Sequence, residues 1–499
     1  MPQARWSNVN CPRYATRVYQ QVLPHDHRCA AGSYLMERME GVDAGYLYME
    51  TPTMHMHTLK IAIMEPSDSY TFAGLQKQLL SRMNDLPPLK QRPLPVPFAL
   101  NHPMWISDGP IEPGRHIFRH DLPSPGGHTE LEALIGQVCS TPLDRDIPLW
   151  EVHVCEGMAG GLVAVIGKLH HALADGGAAN ALIANIADPR EGTPTADRRS
   201  GRPADWHFDA VPAKGTQIKL ALRDATVQIG TIHGLLGRTT SGAVAAVRRR
   251  REHDVSVPRP ILDAPRTSFN GALTPRRNFA TCTLDLAHVK QVRKANGVTV
   301  NDVVLAVVGG ALRTWLDARD EHPATALLAG VPVSTEEVGS SPRLSGNRVS
   351  NLFTTLATDV DDPIERLHTI SNITSASKDL QRTLGPSMLA DWVQFTPPAP
   401  FSALLRWYSH ARMAARHAPP FNVIVSNVKG PPAEIRIAGS RLHDLYSVGP
   451  LIEGIGLNIT AWSYAGRLNI AALSCPDLMP DLPSLVAALE PALQQLRNP

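Results

Sequence analysis

GLVAVIGKLHHALADGGAANALIANI, residues 161–186, is the stretch whose reading decides the fold. Its first half, GLVAVIGKLHH (161–171), is apolar and rich in branched residues, which predicts a buried strand. Its second half, ADGGAANALIANI (174–186), predicts a helix, although Gly176 and Gly177 weaken the first turn. His170, His171, Asp175 and Gly176 therefore sit where a strand turns into a helix. Side chains at such a junction can face a cleft while the scaffold around them stays rigid.

Outward from that junction, strands and helices alternate as in an α/β protein. TLKIAI (58–63) and LWEVHVCE (149–156) read as strands. FAGLQKQLLSRM (72–83) places Phe72, Leu75, Leu79 and Met83 at helical spacing, and a second helix is expected over 130–139. Composition changes at 188–208 to a polar, proline-containing connection. One or two helices follow within 212–247 and run into the basic tract Arg248–Arg251.

A second regular region starts near Phe279. Strands are expected over 326–334 and 351–359, and FNVIVSNVKGPP (421–432) reads as a strand followed by a turn, with Ser426 and Asn427 before Gly430-Pro431 read as turn formers rather than nucleophiles. Residues 363–410 read as mainly helical with an interruption at 397–400, and 481–496 as one closing helix. LNITAWSYAGRLNIAALS (457–474) reads as a hairpin turning at Gly466. Thr299 and Asp302 stand three residues apart as a capping box for the apolar helix after them.

The totals narrow the function classes. Lys and Arg number 48 against 46 Asp and Glu, a balance that gives no reason to expect a nucleic-acid partner. The 6 cysteines are far apart and form no CxxC pair, so neither a disulfide framework nor a cysteine-rich zinc site is indicated, and a reducing cytoplasm fits. The longest apolar stretch, 298–316, carries Asp302 and falls short of the roughly 20 apolar residues of a bilayer span. Residues 1–38 show no clear period, and Met36 or Met39 is a candidate natural start. The tract Arg248–Arg251 suits an anionic membrane or lipid-droplet surface as well as an ordinary charged face.

A neutral imidazole is a suitable general base near neutral pH, because its reference pKa is about 6.5. One of the two histidines can take a hydroxyl proton while the oxygen attacks a carbonyl. Asp175, four residues after His171, can orient a ring or brace the loop through an arginine or backbone donors. By itself the pattern is more often a structural histidine pair or chance than a base. A zinc site lacks assigned third and fourth ligands, with His153 only loosely placed to help. His55 and His57, in MHMH (54–57), are candidates to line substrate space or to serve as buried structural groups, as is Asn458 at the head of an apolar strand.

The wider context resembles the bacterial wax ester synthase/diacylglycerol acyltransferase family. The resemblance centres on PLWEVHVCEGMAGGLVAVIGKLHHALADGG (148–177), preceded by GVDAGYLYMETPTMHMHT (41–58) and HPMW (102–105). It continues through TSFNGALTPRR (267–277), GVTVNDVVLAVVGGALRTWL (297–316), SNVKGPP (426–432), Gly449-Pro450 and GLNITAWSYAGRL (456–468), covering residues 39–496. HHxxxDG alone is shared with carnitine acyltransferases, chloramphenicol acetyltransferases and peptide-synthetase condensation domains.

The resemblance implies an α/β fold of two chloramphenicol-acetyltransferase-like domains facing each other across a substrate channel. It divides the chain into an extension (1–38), a first domain (39–190), a linker and helical crossover (191–265) and a second domain (266–499). It implies transfer of a long-chain acyl group from acyl-coenzyme A, as co-substrate and with no bound cofactor or metal, to diacylglycerol or a long-chain alcohol. In that reading His171 is the general base, His170 supports it, Asp175 mainly holds the turn and Gly176 permits it. Asn301 and Asp302 would organise the domain interface near the channel. The expected location is cytoplasmic, peripheral on the inner membrane face or on lipid droplets. Two other readings stay open: transfer to another alcohol or amine, including from a carrier-bound donor, and a non-catalytic lipid-binding protein.

Overall fold

The computed structural model describes residues 37–189, 209–252, 257–336, 339–385 and 388–498. Two mixed six-stranded sheets organise the chain, with a small ribbon of β1 (Glu37–Arg38), β3 (Arg92–Leu94) and β4 (Met104–Ile106) at one side. The first sheet contains β2 (His57–Glu65), β5 (Ile117–Asp121), β6 (Trp150–Glu156) and β7 (Val163–His170), joined by β12 (Arg436–Ile437) and β13 (Ser440–Val448) in the order β12-β13-β2-β7-β6-β5. The second contains β8 (Asn278–Asp285), β9 (Leu328–Ser334), β10 (Val349–Thr355), β11 (Val423–Lys429), β14 (Leu457–Tyr464) and β15 (Arg467–Ser474), in the order β10-β9-β11-β14-β15-β8.

The domain boundaries read from the sequence need one correction. β12 and β13 lie far into the second half of the chain, yet β13 pairs with β2 from Arg441–Glu65 to Val448–Leu59 and completes the first sheet. β13 reads almost entirely buried along its length, so it has to be covered on both faces. The span 266–499 is therefore not one self-contained domain. It lends a strand to its neighbour and ties the halves together.

Most local expectations hold. Helix α1 spans Gly41–Met49, and α2 spans Phe72–Met83, capped by Thr71 and burying Leu75, Leu79 and Met83. Helix α3 (His128–Cys139) and α4 (Gly176–Ile186) cover the first sheet. The helical stretch after residue 212 is a single 39-residue helix, α5 (Lys214–Glu252), about 58 Å long at 1.5 Å per residue. It bridges the halves: Asp224 pairs with Arg38, while Thr239 accepts from the Trp392 indole. The side chains of Arg249–Arg251, and residues 1–36 and 190–208, lie outside the described residues.

In the second half, α6 (Leu286–Asn296) ends at Gly297, whose φ of 69° terminates it in the left-handed region. Helix α7 (Val300–Asp317) starts with the expected capping box and buries nearly its whole surface in the second core. Helices α8 (Pro363–Leu384) and α9 (Pro398–His410) follow. The expected interruption is present, with a short helix Met388–Val393 ending just before the prolines, and Pro398 opens α9, because a ring at the first helical position costs no intrahelical bond. Two more differences stand out. The closing helix is broken into Leu482–Ala487 and α10 (Leu489–Arg497). Ser426 and Asn427 are not turn residues but strand residues, in parallel register with Thr460 and Ala461. The hairpin β14–β15 turns on Ala465-Gly466, with Gly466 at φ 85°. Among the described residues no single helix is long and apolar enough to cross a membrane.

Candidate active site

Strand parity separates the two histidines. Side chains of β7 alternate between faces, so His170 shares a face with Lys168, whereas His171 continues the series of Gly167 and Leu169. His170 is 1% exposed; His171 keeps partial access. Their backbones prolong the sheet: His57 stands opposite His170, and the His171 N–H donates to Met56 O at 2.7 Å.

The ring of His171 is held by a residue 176 positions away. Its Nδ1 lies 3.0 Å from Asn347 Oδ1. The Asn347 amide nitrogen donates to Asp43 Oδ1 and back to the His171 carbonyl, each at 2.8 Å. With both N–H bonds used, Asn347 offers only its oxygen to the ring. Nδ1 must then carry the proton, which leaves Nε2 with a free lone pair. Tyr46 of α1 stacks on the ring at 4.2 Å and 21° between planes, fixing its tilt. Burial holds His171 down at about 4, against the opposite pull of Asp175, so the neutral form prevails at pH 7. Burial pushes Asp43 up to about 8, despite the Asn347 hydrogen bond. A neutral base with a defined lone pair, backed by an amide and a buried carboxyl, can accept a proton from a hydroxyl nucleophile.

His170 has a different job. Its Nδ1 accepts from the Ala172 N–H at 3.0 Å, which pins the turn, and its Nε2 faces Glu50 at 3.4 Å. Burial keeps His170 below its ordinary value in spite of Glu50. Glu50, which burial alone would raise, is held at about 2 by His170 and Arg145. His170 thus fixes the backbone that carries His171 and presents no free lone pair.

Asp175 touches neither ring. It caps α4, accepting from Ala178 N at 2.9 Å, and its other oxygen accepts from Arg343 Nη2 and Arg348 N, each at 2.8 Å. Burial opposes its ionisation, but Arg343 and these backbone donors hold it below the usual carboxylate range. Gly346 completes the clasp through Leu173 O and the Asp175 N–H. The bracing alternative is the one realised, and it docks the 343–348 segment of the second half onto the turn that carries His171. Gly176 is the first residue of α4; its backbone is not left-handed, and an added β-carbon would make ordinary contact with Val428 at 3.5 Å. The turn therefore does not depend on its being glycine.

The remaining expected residues take structural places. His55 Nε2 bonds Pro275 O and His57 Nε2 bonds Cys139 O, in two buried rings stacked 5.8 Å apart behind His170. Asn458 donates to Pro450 O and accepts from Thr460, holding the Gly449-Pro450 loop. Asn301 is the second residue of α7, and Asp302 accepts from Thr299 N and Ser371 Oγ, contacts within the second half. Among the described residues no cluster of His, Cys, Asp and Glu is arranged to hold a metal.

Sequence reasoning missed Asn347, Asp43 and Tyr46. Asp43 and Tyr46 fall in the quoted stretch 41–58, but nothing local marks them as ring partners. Asn347 follows a serine-rich loop with no motif at all.

The chain is similar to known proteins over nearly its whole length. The catalytic-domain pattern of the wax ester synthase/diacylglycerol acyltransferases matches residues 39–304, and the C-terminal domain pattern of the same enzymes matches 345–497. A Mycobacterium tuberculosis protein provisionally named diacylglycerol O-acyltransferase is 38% identical over 457 residues, covering 91% of this chain and 94% of its own. A second from that organism, named likewise, is 35% identical over 467 residues, covering 92% and 90%. The wax ester synthase/diacylglycerol acyltransferase of Marinobacter aquaeolei VT8 superposes with a TM-score of 0.63 at 25% identity, over 92% of this chain and 99% of that one. The first condensation domain of the calcium-dependent antibiotic synthetase shares the fold, with a TM-score of 0.56 at 14% identity over 93% and 97%.

Proposed function

Because the chain belongs to the wax ester synthase/diacylglycerol acyltransferase family, we propose that it transfers a long-chain acyl group from acyl-coenzyme A to the hydroxyl of diacylglycerol or a long-chain alcohol, with His171 as general base. The observation that carries this reading is the free Nε2 of His171, set by the Asn347 clamp on Nδ1. His171 Nε2 takes the hydroxyl proton as the oxygen attacks the thioester carbonyl. The tetrahedral intermediate then collapses, the carbon–sulfur bond breaks, and the proton on Nε2 is available to the departing thiolate. The products are an ester and free coenzyme A. No acyl-enzyme is required, because both substrates can meet at one base.

An exposed apolar surface supports delivery of the acceptor from a lipid phase. Phe98 is 83% exposed, and Leu404 and Trp407 of α9 are 55% and 57% exposed. The turn Pro97–Ala99 packs against α9, and α9 packs against α1, which carries Tyr46. On the inner side of α9, Phe401 joins the apolar cluster that includes Ala172. Apolar surface of this kind, rather than the basic tract, is the contact we assign to a membrane or lipid-droplet surface.

The test is direct. Purified protein supplied with long-chain acyl-coenzyme A and either acceptor should release coenzyme A and form ester, identified by mass spectrometry. His171→Ala should lower kcat by roughly 10²–10⁴-fold with folding intact. Wild-type turnover by that variant refutes the base assignment. Strict dependence on a carrier-bound donor refutes coenzyme A as the donor, and lipid binding without ester under every combination refutes catalysis.

A further inference from the structure

Between the first sheet and helices α2 and α4 lies an apolar cavity of about 760 Å³ of empty space, counted out through its mouth. Leu79 and Met83 of α2, Leu182 and Ile186 of α4, and Trp150 and Val165 of the sheet form its walls. α4 starts directly after Asp175, and Leu169, two residues before His171, lines the same space. The sheet wall is the Gly167–Leu169 face, the face whose parity His171 shares. From Val165 to Leu169 the floor runs about 13 Å along β7 at roughly 3.3 Å per residue.

Gly167 is the gap in that floor. It sits mid-strand between β2 and β6, opposite Lys60 and Val152, where a branched residue would ordinarily fill the layer. Its backbone is not left-handed, and the only heavy atom near an added β-carbon is Lys60 O at 3.8 Å. Nothing in the fold requires a glycine there, and in spite of its central position it keeps partial access to the cavity. At the same level Lys60 is 8% exposed, bonded only to the hydroxyls of Thr58 and Ser447 and lying over the Trp462 ring at 4.9 Å. Lys60 thus brings a polar group to the level of Gly167, and the wall beyond it, away from His171, is the hydrocarbon of Val165, Ala62, Leu442 and Leu445.

We propose that this cavity houses the hydrocarbon chain of the acyl donor, and that Gly167 is the specificity-determining residue that lets a long chain pass. The inference rests on the acyl-transfer reading above and adds to it the place and the gauge of the chain. A narrow, walled cavity takes one unbranched chain. The donor's acyl group is the one such chain common to every acceptor considered, whereas diacylglycerol brings two. A β-branched side chain at 167 would project into the passage beyond Leu169 and shorten the space that a chain can fill.

The experiment compares butyryl-, octanoyl- and palmitoyl-coenzyme A against one fixed long-chain alcohol, for wild type, Gly167→Ala and Gly167→Val. A second series holds the donor fixed and varies the alcohol. The expected result is a fall in kcat/KM for palmitoyl relative to butyryl donor of about 10-fold or more in Gly167→Val, with Gly167→Ala intermediate. Leu182→Ala, which widens the wall, should shift preference toward longer donors, and this provides a readout of opposite sign should the valine variant fold poorly. A donor profile in the folded valine and Leu182→Ala variants that matches wild type overturns the proposal, as does a change confined to the alcohol series. Absence of coenzyme A release by wild type with every donor refutes the acyl-transfer reading itself, a distinct outcome.

Discussion

Replacing Asn347 by leucine keeps the side chain's approximate shape and removes every polar contact it makes. The His171 Nδ1–H then loses its acceptor at 3.0 Å, and Asp43 Oδ1 and the His171 carbonyl lose donors at 2.8 Å. A buried polar group left without a partner costs about 1–3 kcal/mol. Three such groups, one of them able to recover by protonation because Asp43 already sits at about 8, predict a loss of about 3 kcal/mol or more in stability. The catalytic effect is separate. Without an acceptor on Nδ1 the ring has no preferred tautomer and is steadied only by Tyr46. A loss of about 1.4–2.7 kcal/mol of orientation corresponds to roughly 10- to 100-fold in kcat, less than for His171→Ala. KM for acyl-coenzyme A should change little, since Asn347 does not line the apolar cavity. Asn347→Asp, which restores an acceptor, should recover part of kcat. The assay is steady-state coenzyme A release, with thermal unfolding as the control for folding. A folded leucine variant within about twofold of wild-type kcat, or leucine and aspartate variants equal in kcat, would refute the tautomer argument.

Two further outcomes follow from the same geometry. His55, His57, His102, His116, His170 and His171 are all held below the ordinary imidazole value by burial, His55 and His171 at about 4. Below about pH 6.5 the unfolded chain takes up protons that these rings refuse, so stability must fall with pH from about 6.5 toward 4, each unit of depression amounting to about 1.4 kcal/mol; Asp43, raised to about 8, and Glu37 and Glu132, also raised by burial, oppose this but are fewer than the rings. Thermal unfolding followed from pH 7 to 5 should show a steady decline in Tm, and a flat profile would contradict the buried neutral state of the rings. At the exposed apolar surface, a Phe98→Ser, Leu404→Ser, Trp407→Ser variant should sediment less with vesicles and lose activity on vesicle-borne acceptor, while retaining activity on acceptor dispersed in detergent. Equal sedimentation would remove that surface from the proposal.

Much of this protein is settled by short-range patterning. The period-two alternation of β7 places His170 and His171 on opposite faces, and Asp175 caps the helix that begins one residue later, because capping reaches only three residues ahead. Thr299 and Asp302 form their box for the same reason. The ordered motifs also suffice to identify the family, since their residues remain contiguous in sequence whatever the fold does with them. Three things are decided only when the chain closes. Asn347 reaches His171 across 176 residues and Asp43 across 304. β13 is captured by the first sheet against its position in the sequence. Gly167 becomes a passage only because α2 and α4 wall the space above it. Spacing along a chain reports contacts within a turn or a strand. The ring of His171 is held by partners that no spacing connects, so the candidate base is legible in the sequence but the contacts that hold its ring are not.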